Sequence, residues 1–245
     1  MPIYENIVIG NFLFALGLKL GARQHASLAP DLALHLTQQT PLDRVLGDVL
    51  LSGLKLVALL EFKRAAAKLT KERSNLRKIN RFLQLPEYRE LTQTSRRIHF
   101  YVETRDKLEE GILSSQVLPY LDLEVRTNDR KRTLEKLIDE IVLAATSASK
   151  LPEMQIQKYQ NYLNLVCDSR GLSYNSSPGL LVGVRGDGQI AFAEVPDIRD
   201  LRTTNQNIER YQWTLERRMT LARTQEYRQS RVLTRRQTLR QIQTP

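Results

Sequence analysis

Two apolar runs, Val49-Leu-Leu51 and Leu56-Val-Ala-Leu-Leu60, flank a small-residue break at Ser52-Gly53 and predict a β-hairpin over residues 45–63. The second run ends in Glu61-Phe-Lys63. Alternate residues of a strand share a face, so Glu61 and Lys63 point one way and Phe62 the other. Upstream, Ile7 to Ala22 is almost continuously apolar and predicts a buried first helix. Residues 23–42 read two ways: Leu32, Leu34 and Leu36 alternate as in a strand, while Asp31 is placed to cap a short helix. Arg64 to Leu85 has helix-forming composition throughout. Its apolar stripe is Ala65, Leu69, Leu76 and Leu83, with Arg64, Lys71 and Lys78 opposite and Arg73, Arg77 and Arg81 flanking; Pro86 stops it. Arg96 to Glu103, containing Ile98-His-Phe-Tyr-Val102, predicts a strand and completes a strand–helix–strand unit. Helices follow over 129–149 and 152–167, then a hairpin over 180–195 about Gly186-Asp187-Gly188. Residues 198–243 hold no Gly or Pro and predict one long helix, with Leu201, Ile208, Leu215 and Ala222 recurring every seven.

The chemistry sits in the first hairpin. A loop of Gly53 to Leu56 sets Ser52 opposite Val57 and Asp48 opposite Glu61, with Cβ atoms about 5 Å apart. A tighter Ser52-Gly53 turn would separate the two acids by about 13 Å. Two carboxylates that close repel unless a cation or a shared proton lies between them. An all-oxygen pair suits a hard divalent ion, Mg2+ or Mn2+. Lys63 would then orient a nucleophilic water or stabilise charge on a phosphate. The plain alternative is a surface hairpin whose Glu61 and Lys63 are solvated.

Asp48, twelve intervening residues and then Glu61-Phe62-Lys63 resemble the PD-(D/E)xK phosphodiesterase superfamily, which includes restriction endonucleases and junction resolvases. The resemblance spans roughly residues 1–105 and departs at Gly47, where the family motif has proline; Pro41-Leu42-Asp43 makes Asp43 a second candidate acid. It implies an α/β (α+β) fold with a small mixed sheet between helices. On that reading residues 1–125 are a restriction-endonuclease-like core, 126–200 a helical region carrying the 180–195 hairpin, and 201–245 a long arginine-rich helix. The boundary falls in 106–128, where charged and small residues dilute the pattern. The resemblance makes Asp48 and Glu61 metal ligands and Lys63 the catalytic lysine. Glu5, the one acid of the first helix, becomes a further ligand, although an acid at a helix start also complements the helix dipole. Gln116-x-x-x-Tyr120 and Gln155-x-x-x-Tyr159 both match an element found in some of these nucleases, and the duplication leaves neither with a role.

Composition narrows the partners. The net charge of +10 is uneven: residues 201–245 hold ten arginines, three glutamates and no lysine, leaving +3 on the first 200. Such a surplus favours a polyanion, with DNA preferred, or an acidic protein surface. Arg64, Lys68, Lys71, Lys78, Arg217 and Arg218 are the expected nucleic-acid contacts, and residues 201–225 the expected surface for a partner protein or self-association. One cysteine, Cys167, excludes an internal disulfide framework and a cysteine-based zinc site. His25, His35 and His99 are too scattered for metal-ligand spacing, and His99 is expected to be structural. The apolar start lacks a basic n-region, is broken by Lys19 and falls short of the ~20 residues of a span, so a cytoplasmic protein off the membrane is expected. The expected activity is that of a metal-dependent nuclease in repair, defence or an antagonistic toxin. A non-catalytic nucleic-acid-binding or assembly subunit is the alternative.

Overall fold

A computed structural model describes residues 4–23, 32–36, 46–65, 67–109, 112–125, 132–171, 179–184, 190–197 and 199–209. In chain order the elements are α1 (Glu5–Arg23), β1 (Leu32–Leu36), β2 (Val49–Gly53), β3 (Val57–Arg64), α2 (Thr70–Leu83), α3 (Leu91–Ile98), β4 (His99–Glu109), β5 (Ile112–Pro119), α4 (Leu134–Ala145), α5 (Glu153–Ser169), β6 (Gly179–Val184) and β7 (Ile190–Val195). A helical segment, α6, covers 201–209.

β1 to β5 form a mixed sheet in sequential order. Only β3 and β4 run parallel; the other neighbours are antiparallel. A parallel pair requires a crossover, and α2 and α3 supply it. β3 is central and buried along nearly its whole length, which is why its sequence is a continuous apolar run rather than an alternating one. On one face Val49, Leu51, Leu60, Phe62 and Val102 pack with α1 and α4. On the other Leu50, Leu59 and Tyr101 pack with α2, α3 and α5. The coarse expectation of a small mixed sheet between helices therefore holds.

α1 lays Val8, Ile9, Phe12 and Leu16 on the sheet and exposes Ile7, Phe14 and Leu18. By length and composition it would also suffice to cross a membrane. The ambiguous segment before the hairpin contains a strand, with Leu34 opposite Leu51. β6 and β7 pair antiparallel as a separate two-stranded sheet. Their turn, like His25, Asp31 and Asp43, lies outside the described residues.

Several boundaries differ from expectation. The basic helix begins at Thr70, not Arg64. β3 runs on to pair Arg64 with Thr104, and the Ala65 N–H donates to the Thr104 carbonyl at 2.8 Å, so the sheet ladder claims these residues before a helix can start. Arg96 to Ile98 close α3 instead of opening a strand. Leu91, Thr94, Ser95 and Ile98 form its buried face at helical spacing, and β4 starts at His99. Residues 106–109 and 112–119, within the expected diluted boundary, continue β4 and β5. Packing does not stop at residue 125: α4 closes one face of the sheet and α5 the other, and Leu201 and Ile208 of α6 join the α5 core. The expected long helix is described only through Glu209, so Arg217, Arg218 and the heptad positions Leu215 and Ala222 lie outside the described residues.

Candidate active site

The β2–β3 hairpin takes the looser turn. Ser52 pairs with Val57, and the Gly53 N–H donates to the Leu56 carbonyl at 3.0 Å. The ladder ends at Val49–Leu60, and one residue earlier the Asp48 N–H donates to the Leu60 carbonyl at 2.9 Å. Asp48 thereby reaches the end of β3, and its Oδ2 accepts the Phe62 N–H at 2.6 Å. That bond fixes the carboxylate against the strand carrying Glu61 and Lys63.

The three side chains converge. The Lys63 ammonium lies 2.8 Å from Glu61 Oε1 and 3.8 Å from Asp48 Oδ2. It is also 3.6 Å from Glu5 Oε2, brought across by the first turn of α1, and it donates to the Phe62 carbonyl at 2.8 Å. The acids are not solvated surface groups: the Asp48 and Glu61 side chains are 5% and 4% exposed, and that of Lys63 15%.

Burial dominates the electrostatics. Desolvation, and then the Asp48 charge, push the Glu61 carboxyl up to about 7 against the opposing pull of Lys63. Burial works against the Lys63 charge, but Glu61 and Asp48, with help from Glu5, outweigh it and hold the ammonium above the usual lysine range. Three carboxylates thus share one cation, two of them, Asp48 and Glu61, buried with it.

Among the described residues no three His, Cys, Asp or Glu side chains already stand in a metal-ligating arrangement. Asp48 and Glu61, with Glu5 beside them, nevertheless fit a hard divalent cation by donor type and charge. Such an ion would share these carboxylates with Lys63.

The structure also accounts for the glycine before Asp48. Gly47 has φ +116°, and a Cβ there would meet Glu61 Oε2 at 3.1 Å and the Leu60 carbonyl at 3.2 Å. Proline, with φ fixed near −65°, cannot take that conformation.

The expected nucleic-acid residues are dispersed. Lys68, Lys71 and Lys78 are exposed, Lys68 in the turn before α2 and the others on the helix. Arg64 is half-buried at the end of β3, its guanidinium 5.9 Å from the centre of the Tyr4 ring. Arg73 pairs with Glu124 at 3.6 Å.

Sequence reasoning passed over Glu72. It is buried on α2 in line with Leu76, Ile79 and Leu83, and an acid inside an apolar stripe was the signal that could have found it. Its Oε2 accepts from the Tyr120 hydroxyl at 2.8 Å. Tyr120 in turn stacks on His99 at 4.1 Å between ring centres, and His99 Nδ1 lies 2.8 Å from the Tyr162 hydroxyl. His99 accordingly sits in a buried aromatic network, and burial keeps its ring well below the usual histidine range. Cys167 is buried and free, its thiol pushed up to about 11 by burial. Comparison of the chain with protein-family models, with curated proteins and with solved structures found no match in any of the three, which leaves the geometry of this acidic centre as the ground for a functional reading.

Proposed function

We propose that the protein is a divalent-metal-dependent nuclease that hydrolyses phosphodiester bonds, with DNA the favoured substrate. The observation that carries this reading is the meeting of Asp48, Glu61 and Glu5 on the single ammonium of Lys63, largely buried near the end of a central strand. The arrangement supports the resemblance to the PD-(D/E)xK superfamily and the mixed, restriction-endonuclease-like sheet that goes with it. A bound Mg2+ or Mn2+ would supply Lewis acidity to a phosphoryl oxygen and make a coordinated water more acidic.

The chain's own residues divide the remaining work. Asp48 and Glu61 hold the cation, and the Phe62 N–H keeps the Asp48 carboxylate from turning away. Lys63, positively charged at neutral pH, orients the attacking water or stabilises charge developing on the phosphate. The exposed lysines of α2 and the preceding turn attract the polyanion. Glu61→Ala and Lys63→Ala should each lower Mg2+-dependent cleavage at least about a hundredfold. Full activity in both variants would end the reading.

One feature favours the alternative, a non-catalytic nucleic-acid-binding or assembly subunit. The Lys63 ammonium already occupies the space among the acids, as it would in a purely structural ion cluster. That reading requires nucleic-acid binding that survives both EDTA and substitution of Asp48.

A further inference from the structure

α2 carries one acid and turns it inwards. Glu72 is 1% exposed, on a helix whose other charged residues face solvent. Its Oε2 is held by Tyr120, while its Oε1 is buried without a hydrogen-bond partner among the described residues. An unsatisfied buried oxygen costs about 1–3 kcal/mol, and more when charged, so a carboxylate left this way calls for a ligand. The direction in which Glu72 acts is defined. Glu72 sits in the first turn of α2, whose buried residues pack with Leu59 and Tyr101; Glu61 shares that sheet face by alternation with Leu59, and Tyr101 of β4 is in register with Glu61. The Tyr101 hydroxyl is itself buried and, among the described residues, without a hydrogen-bond partner. Two orphaned polar atoms from different elements, α2 and β4, therefore belong to the layer that covers the Glu61 face of the sheet. The Tyr120 contact that orients Glu72 is braced by Arg170, whose guanidinium donates to the same hydroxyl at 3.4 Å.

We infer that Glu72 is a positioning residue of the acidic centre: its Oε1, together with the Tyr101 hydroxyl, holds a water of the cation that Asp48 and Glu61 ligate, and Tyr120 sets the carboxylate's angle. This rests on the metal-dependent reading above. Outer partners of metal centres of this kind change metal affinity about 10–100-fold. They do so without touching the metal.

The test is Mn2+ binding, read from the loss of the free-ion electron paramagnetic resonance signal, beside melting curves in EDTA. Glu72→Gln keeps an acceptor for Tyr120 and removes the charge. It should melt no lower than wild type in EDTA and bind Mn2+ at least about tenfold more weakly. Should it fail to fold, Tyr120→Phe, which leaves the charge but releases its orientation, should weaken Mn2+ at least about tenfold, the lower end of the range that outer partners span. Wild-type Mn2+ affinity in the folded variant, with binding lost in Asp48→Asn, overturns the role of Glu72 alone. Wild-type affinity in Asp48→Asn, or no Mn2+ binding by the wild-type chain, overturns the metal site and Glu72 together.

Discussion

Glu61 is where burial and charge conflict most directly at the scale of single residues. Its carboxyl titrates near 7 in the folded chain against 4.5 in the open chain, so the folded form holds the extra proton between those values. Without metal, this group makes stability fall as pH rises from about 4.5 to about 7. His35, held down to about 4 by burial, acts oppositely below its ordinary 6.5, and the contribution of Glu61 must be isolated by difference. Denaturation in EDTA across this range should show the wild type losing stability relative to Glu61→Gln as pH rises. Parallel curves would mean that Glu61 is not strained by its neighbours. Lys63, raised above its ordinary value, contributes no slope in this window. At this scale the sequence was legible where a strand rule applied. Counting the turn residues was enough to give the Val49–Leu60 register and to bring Asp48 to the strand end that carries Glu61 and Lys63. Gly47 was noticed only as a departure, because a positive φ has no signature in a single sequence. Glu72 was missed because the apolar stripe was traced through Leu69 and Leu76 and stepped over it.

Elements were legible in kind and less so at their ends. α1, the first hairpin, α4, α5 and the β6–β7 pair follow their patterns, since each carries a long run of one periodicity. The start of α2 was misplaced by tertiary context: pairing of Arg64 with Thr104 overrides the helical composition of residues 64–69. The correction changes which cations serve α2. Lys71 and Lys78 project from the helix, while Arg64 belongs to the strand end and Tyr4. If α2 tracks a phosphate backbone, Lys71→Glu with Lys78→Glu should reduce the slope of log affinity against log salt by about 1.8 on duplex DNA, about 0.9 for each lost contact. Fluorescence anisotropy between low and physiological salt measures this directly. An unchanged slope would remove α2 from the interface.

For the whole molecule, the two faces of the sheet were less legible than the sheet itself. Nothing local in the sequence indicated that the 134–145 and 153–169 helices would close opposite faces of a sheet built from residues 32–119. The consequence extends to the C-terminal segment. Leu201 and Ile208 are buried in the α5 core, and the Leu201 N–H donates to Gln160 Oε1 at 2.8 Å. Ending the chain at Asp200 forfeits both side chains, each worth about 2 kcal/mol, and should lower the melting temperature. Ending it at Glu209 keeps every described core contact and should melt above the Asp200 truncation. Light scattering on the Glu209 truncation then separates self-association through residues beyond α6 from loss of folding. Oligomers that persist in it would place the association surface elsewhere.

That the Asp48–Glu61–Lys63 cluster cuts a phosphodiester is tested most directly by single-turnover cleavage of labelled DNA with Mg2+, Mn2+ or EDTA. The wild-type chain should cleave only with metal, and Glu61→Gln, folded to the same degree by its melting curve, should cleave at least about a hundredfold more slowly. Cleavage that continues in EDTA, or a Glu61→Gln rate equal to wild type, would contradict it.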